Sequence, residues 1–491
     1  ETYTWVSADG IVLSDATAKN PTFTAPNVSP GVPEAKSFTL TLDDGAGNTH
    51  TITSVVTVNH VNSSPAIDSL AVVAAEPGVV YSYTITTTDA DNDVPILSSG
   101  TLPNWLTLTD NGDGTATLAG TPSEADLGMQ DIVLTANDGT SVSSNNSATQ
   151  SFTIKVSKHP SGSGTESDPY LIATLGELYW LSQTSSEWAS GKYYVQTADI
   201  DASTTSLLDN GAGWTPLGNS STNFKANYDG GGHVISGLFI NRPTVTNVSF
   251  IGYGTGKISN LGLENVNITG RGSTAGFIAW GSGVTIDKCY VTGTVKGNGD
   301  GVGGFMNRSS GTVSISNCYS RASVTGTNGA VGGFLGYGSN GSATIINCYS
   351  TGSVSAGWMY AGFAGFTGPT YSNSFWDMET SGQTNGQYQG ALPGVTGKTT
   401  SEMQTASTFT DAGRLQSVNE GDTVVLYSGW SPSDWNMVDG SYPTINFGGG
   451  ASETYTWVSA DGIVLSDATA KNPTFTAPNV SPGVPEAKSF T

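Results

Sequence analysis

A short period governs the middle of the chain. The stretches GFIAWGSGVTIDKCYVTGTV (276–295), GGFMNRSSGTVSISNCYSRASV (303–324) and GGFLGYGSNGSATIINCYSTGSV (332–354) align on a phenylalanine and on a Cys-Tyr pair. Phe277, Phe305, Phe334 and Phe363 lie 28, 29 and 29 residues apart. Cys289, Cys318 and Cys348, each followed by tyrosine, lie 29 and 30 apart, and Leu261 and Leu238 extend the column backwards. Units of this length, built of short alternating runs with Gly or Asn corners, cannot bury an apolar face singly. They must stack into one continuous core, which predicts a β-solenoid. Residues one coil apart then stand ~4.8 Å apart with parallel side chains. A disulfide needs converging Cβ atoms at ~3.5–4.5 Å, so the cysteines are expected as free, buried, small hydrophobes. No C-x-x-C pair and no neighbouring histidine supports zinc.

A second repeat is long. Residues 1–39 recur unchanged at 453–491, an offset of 452. Either one end has been duplicated, or the chain is a window on a tandem array with a 452-residue period. The array is the favoured reading, because the chain starts and stops within a domain.

Composition narrows the function. Charged residues make up 12%, and 17 Lys plus Arg face 40 Asp plus Glu, a net charge of −23. Such a surface repels nucleic acid and anionic lipid and suits a saline or calcium-rich exterior. No apolar run is long enough to span a membrane. No signal sequence precedes Glu1, so the chain reads as a mature or internal segment. Thr174 with Glu177 and Thr399 with Glu402 have capping-box spacing and predict two helices. The first heads the stripe Leu175, Leu178, Tyr179 and Leu181, which could plug the open end of the solenoid.

Three family resemblances organise the chain into four parts. The coils, with the lead-in GSGTESDPYLIATLGELYWL (162–181), YDGGGHVISGLFINRP (228–243) and the exit NSFWDMETSGQT (373–384), resemble the GLUG-repeat family of bacterial surface proteins, over 160–450. Residues 65–157 carry strand-like runs separated by Gly, Pro, Asn and Asp clusters. Their segment PNWLTLTDNGDGTATLAGTPSEADLGMQDIVLTANDG resembles cadherin-like, immunoglobulin-type modules, with Trp105 and Leu106 in the core. Residues 1–62 resemble PKD-like immunoglobulin-type domains but lack the two opening strands. Those strands have their match at AGRLQSVNEGDTVVLYSG (412–429), inserted in the last coil, shortly before the second copy at 453–491. The expected fold is therefore all-β, with immunoglobulin-like sandwiches in tandem with a β-solenoid. The end of one unit and the start of the next should complete one sandwich, Val418, Val424 and Leu426 packing on the sheet that carries Trp5 or its copy Trp457.

Calcium is the one cofactor the residues suggest. Asp89, Asp91 and Asp93 alternate in TTDADND, and Asp138 follows in TANDG. The cadherin-like resemblance implies that these meet the preceding linker around calcium, with Glu76 as a further ligand. Calcium wants six to eight hard oxygens, although the linker NHVNSSP (59–65) offers only Asn59 and Asn62 where cadherins carry charge. The bland alternative is that the aspartates cap turns. Asp110, Asn111 and Asp113 resemble the start of an EF-hand but lack its closing glutamate, so a hairpin turn is expected.

No catalytic residue is assigned. Four histidines occur, none in a nucleophile or metalloprotease motif. Asp229, Glu264 and Asp287 could lie on a solenoid face, as could the aromatics Trp280, Tyr337 and Trp358, which leaves a carbohydrate-active enzyme or carbohydrate-binding protein as the rival reading. The main reading is a non-enzymatic, extracellular cell-surface fibre or adhesin segment. Its expected partners are neighbouring copies of itself and surface or matrix glycans, with no nucleic acid and no membrane insertion.

Overall fold

The computed structural model describes residues 1–29, 32–139, 146–299, 301–339, 342–366, 368–410, 423–425, 430–447 and 474–476. Two compact units, Glu1–Val156 and Ser157–Thr491, divide the chain. Strands dominate both, and the protein is all-β.

The first unit opens with an antiparallel meander of Thr2–Ser7, Glu34–Asp43 and Thr49–Val58, in which Trp5 faces Leu40 and Leu40 faces Ile52. The layer beneath it is a fragment. Leu13 bridges Phe23, the Ser14 amide donates to Thr22 O at 2.7 Å, and the Phe23 ring meets Phe38 of the meander at 4.8 Å. Little is buried here besides Val28, Phe38 and Val58. Ile52 and Val55 remain 52% and 57% exposed on a strand with no further neighbour among the described residues. An open edge and half a core are costly for a sandwich standing alone.

Residues 66–156 form a complete two-sheet sandwich. One sheet runs Ala74–Ala75, Ser147–Val156, Gly128–Asn137, Ile96–Ser99; the other runs Ala66–Ile67, Tyr81–Thr88, Thr115–Gly120, Leu106–Asp110. Period-2 alternation buries Tyr81, Tyr83 and Ile85 from one strand against Leu118, Ile132, Leu134 and Ile154. Leu106 is buried, and Trp105 packs edge-on against Tyr81 at 5.7 Å. Gly120 is required, since a Cβ there would lie 1.7 Å from Trp105 O. Asp110, Asn111 and Asp113 form the hairpin turn the sequence predicts: Asp110 pairs with Ala116, and Asp113 Oδ1 accepts from the Thr115 amide at 3.0 Å.

The second unit is a parallel stack. Its principal column runs Val234, Gly262, Tyr290, Tyr319, Tyr349, Phe375 from coil to coil. Inside, Phe277, Phe305, Phe334 and Phe363 stack with centroids 4.8, 4.9 and 5.0 Å apart and planes within 7°. The corner before each column position uses positive φ at Asn260, Lys288, Asn317, Asn347 and Asn373, a conformation asparagine tolerates well. Both predicted capping boxes are present, Thr174–Glu177 heading helix Leu175–Gln183 and Thr399–Glu402 heading Thr400–Met403. The first helix lies beside the first strand of the stack, Tyr170–Ile172, through the Tyr170 and Trp180 rings at 5.6 Å.

The cysteines fill one buried column after Leu261, and all three are free. The column is less apolar than expected. Each Sγ donates to a carbonyl two residues earlier: Asp287 O at 3.3 Å, Ser316 O at 3.0 Å and Ile346 O at 3.2 Å. In the next coil Ser374 Oγ donates to Ser372 O at 2.9 Å and accepts from the Cys348 amide. Cys318→Ser should therefore cost under ~1 kcal/mol, whereas Cys318→Leu should cost ~1–3 kcal/mol through overpacking. Denaturant melts of the two variants check this. Burial pushes the Cys318 thiol above its ordinary range, and because all three thiols are fully buried they should label only on unfolding.

A final segment, 430–447, runs back along the outside of the stack. Trp430 stands at the Phe375 end, with rings at 5.7 Å, and its Nε1 donates to Asn373 O at 2.8 Å. Phe447 reaches the Tyr290 ring at 6.1 Å, and its Cβ lies against Gly232. Between them the segment covers the tyrosine column and forms a buried cluster with Trp435, Ile445, Tyr290, Tyr319 and Tyr349. Arg321 fastens it, donating to Pro443 O at 2.9 Å and to Tyr349 Oη at 2.8 Å. Lys288, at a corner where the coils on either side have Asn260 and Asn317, pairs with Asp434 at 3.0 Å.

Candidate functional site

The acidic residues expected to hold calcium divide into two places. Near the linker, Asp91 Oδ1 pairs with His60 Nε2 at 3.0 Å, with side chains only 8% and 10% exposed. Asp91 Oδ2 accepts from the Ser63 amide at 2.6 Å, and Asp138 Oδ2 accepts from Asn62 Nδ2 at 2.6 Å. Asp89 Oδ1 accepts from the Asp91 amide at 2.7 Å, and Asn92 makes the turn at φ 66°. Glu76 is elsewhere. It follows Ala75, which pairs with Val156 beside Gly128, nine residues along the strand from Asn137 and Asp138. At the rise of a strand that is ~30 Å away.

The test of fit for a hard cation gives a split answer. Asp89 Oδ2 and Asp93 Oδ2 are buried without a hydrogen-bond partner, the kind of oxygen that a cation satisfies. No three Asp, Glu, His or Cys side chains converge among the described residues. Asp91 is already held by protein groups. Of the expected ligands, Asp89 and Asp93 carry the buried oxygens that a calcium ion would satisfy, and Glu76 lies apart from them. The Ser63 amide, and then the His60 contact, hold the Asp91 carboxyl below its ordinary range against the opposing effect of burial. A depressed carboxyl stabilises fully above its unfolded value, and that contribution fades as pH falls through the lower folded value. Two melts separate the contributions. Asp91→Asn should lower the melting temperature of residues 1–156 even with chelator present. Calcium should raise it in the wild type, through a stabilisation of ~2.7 kcal/mol at a hundredfold excess over Kd, and not in Asp89→Asn.

A second candidate site is a strand pair formed with the repeated segment. Thr423–Val425 pairs antiparallel with Thr474–Thr476, with Val424 opposite Phe475. The 452-residue offset makes Thr474–Thr476 the copy of Thr22–Thr24, and Phe475 the copy of Phe23. A strand from the segment 412–429 is therefore paired with the repeated segment 453–491. Val418, Leu426 and Trp457 lie outside the described residues. In the first copy, the same Thr22–Thr24 segment borders an open cleft with Asp9–Ser14. Phe23 is bridged to Leu13, whereas its copy Phe475 stands opposite Val424.

The solenoid carboxylates are engaged in the stack. Asp229 Oδ1 accepts from Asn260 Nδ2 at 2.9 Å, Glu264 Oε1 from Tyr290 Oη at 2.6 Å, and Asp287 Oδ1 from Ser316 Oγ at 2.6 Å and Asn317 Nδ2 at 3.0 Å. Trp280 and Tyr337 belong to a separate outward column that runs Tyr253, Trp280, Arg308, Tyr337, Phe366 on one five-stranded sheet. Trp358 is 60% exposed and touches Tyr388 edge-on at 6.3 Å. Sequence reasoning missed Arg308, because its partners in the column are chemically unlike it. The equal spacing of Trp280, Arg308 and Tyr337 from their coil phenylalanines was the available signal.

Residues 64–157 match the family model described as "Putative Ig domain" (He_PIG), in agreement with the sandwich seen there. Over 150 residues the chain is 33% identical to halomucin of Haloquadratum walsbyi, covering 30% of this chain and 2% of halomucin. Over 117 residues it is 33% identical to a "Putative Gly-rich membrane protein" of Evansella cellulosilytica, covering 23% of this chain and 13% of that protein. The chain thus spans a small part of the curated relatives it matches. Among solved structures it is similar to the human desmocollin-1 ectodomain, at 11% identity over 35% of this chain and 38% of that one, TM-score 0.20. It is also similar to the SrpA adhesin of Streptococcus sanguinis, at 16% identity over 23% and 66%, TM-score 0.18.

Proposed function

We propose that this chain is a structural, adhesion-type segment of an extracellular surface protein, built from 452-residue units that are joined through a shared, split sandwich. The pairing of Thr423–Val425 with Thr474–Thr476 carries this reading. Each unit would supply a PKD-like sandwich short of its opening strands, a cadherin-like sandwich and a GLUG-type solenoid. The solenoid's closing region would donate the missing strands to the following unit. A junction made this way is a folded domain and not a flexible linker, so that successive units form a fibre. Three further features support the surface setting: the immunoglobulin-like domain at 64–157, the surplus of carboxylates, and relatives named as a halomucin and a membrane protein. No helix among the described residues is long and apolar enough to cross a membrane. The role needs no catalytic group.

Limited proteolysis of a protein made of two successive units tests the reading. The donor segment 412–429 of the first unit and the start of the second should resist cleavage as long as the cadherin-like sandwich does. Prompt cutting within 412–429, with both solenoids intact, would refute the shared domain.

A further inference from the structure

The outward column on the five-stranded sheet is a row of stacked side chains with one cation held in it. Tyr253 and Trp280 stack at 5.5 Å, and Tyr337 and Phe366 at 4.9 Å. The Arg308 guanidinium lies between the two pairs, 4.8 Å from the Trp280 ring and 4.8 Å from that of Tyr337. Both faces of the guanidinium plane are thus occupied by aromatic rings, which fixes its orientation. Its N–H edge has no hydrogen-bond or ion-pair partner among the described residues. A guanidinium fixed in its plane with its donor fork free is suited to bidentate capture of an oxyanion, and little entropy is lost when it does so.

The surroundings favour an anion as well. The chain carries 40 acidic residues, yet none falls in the five strands of this face or their flanks, 249–256, 276–284, 304–313, 333–339 and 362–366. Arg308 is the one charged residue in those segments. Ring stacking also decides which contact is available. The inner faces of the rings are used by their neighbours, so a sugar cannot lie flat on Trp280 or Tyr337. What the row offers outward is edges: two phenol hydroxyls, the guanidinium and the flanking serines Ser282 and Ser310, the latter already accepting from Trp280 Nε1 at 2.9 Å. Five residues one coil apart make a ridge ~19 Å long and one side chain wide. A ridge this narrow lacks the ~800 Å² and the anchor pockets that a protein partner uses. It matches an extended, hydroxyl-rich chain that bears carboxylates.

We infer that the Tyr253–Trp280–Arg308–Tyr337–Phe366 ridge binds a carboxylate-bearing glycan, with Arg308 gripping a uronate carboxylate and the flanking phenols and serines meeting sugar hydroxyls. This deepens the extracellular reading above but does not depend on the split sandwich, since the two lie on different parts of the chain. Titration calorimetry of the full chain with hexagalacturonate, maltohexaose and hexaglutamate tests it. The expected result is binding of hexagalacturonate alone, weakened at least about tenfold by Arg308→Gln and partly by Arg308→Lys, which keeps charge but loses the planar fork. Tyr253→Phe, at the end of the row and away from the sandwiched cation, should weaken binding while leaving the fold intact, and thermal melts verify folding for each variant. Three outcomes would overturn the inference: no binding of hexagalacturonate, equal binding of maltohexaose or hexaglutamate, or unchanged binding by a folded Arg308→Gln chain.

Discussion

Val424→Pro, placed in a protein of two successive 452-residue units, is expected to unfold the sandwich at their junction while leaving both solenoids folded. Val424 stands in the middle of the Thr423–Val425 strand and opposite Phe475, the copy of Phe23. Proline fixes φ and removes the N–H, so the strand loses a potential ladder donor and strand interiors exclude it. The first copy shows what is at stake for the acceptor. Without a donated strand, its second layer consists of Leu13 bridged to Phe23, and the Phe23–Phe38 contact is the main link between layers. Its buried set is small enough that losing one strand should cost the whole domain. Circular dichroism melts would lose the transition of the junction sandwich, and the junction would become the first site of proteolysis. A Val424→Ile control, which keeps an apolar β-branched side chain, should leave the junction folded.

Trp430→Ala should cost ~3–5 kcal/mol and release the segment 430–447 from the tyrosine column. Trp430 is fully buried, stacks 4.2 Å from Trp435 and 4.5 Å from Phe409, and faces Tyr349 at 5.8 Å. Its loss removes the hub that ties the segment to the last coil. The same cover should fail in alkali. Burial pushes Tyr319 and Tyr442 up to about 12, and it raises Tyr349 as well, against the opposing pull of Arg321. For a group whose folded value lies above its unfolded value near 10, the stabilisation is complete below pH ~10. It is then lost as the pH climbs through the folded value. Tryptophan fluorescence should therefore report release of the segment between about pH 10 and 12 in the wild type, and at lower pH in Arg321→Gln. A wild type indifferent to pH 12 would contradict the buried column.

Periodicity made the solenoid legible. Phe277, Phe305 and Phe334 are in register because a coil of fixed length returns the same side chain to the same place. The asparagine before Cys318 and Cys348 was equally regular, and it marks the left-handed corner of each coil. What stayed hidden was contact between stretches with no shared period. Tyr349 donates to Pro443 O at 2.6 Å across 94 residues, and no local pattern announces that the tyrosine column has a cover. The same limit applies to calcium. Asp89, Asp91 and Asp93 are near one another because they share a loop, but placing Glu76 requires knowing that Ala74–Ala75 pairs in parallel with the far end of Ser147–Val156. The cysteine column was read as purely apolar, since sequence spacing does not reveal the carbonyl two residues behind each thiol. Arg308 eluded the alignment because a stack of rings accepts a guanidinium as readily as another ring.

Amide hydrogen exchange across the inner junction of a two-unit protein tests the shared sandwich most directly. The account predicts that Thr22–Thr24 of the second unit is protected as strongly as its own Glu34–Asp43 strand, and that Val424→Pro in the first unit abolishes that protection. It also predicts that Thr22–Thr24 of the first unit, which has no donor strand in such a protein, exchanges fast despite its identical sequence. Equal exchange at the two positions, unaltered by Val424→Pro, would contradict the donation of a strand from one unit to the next.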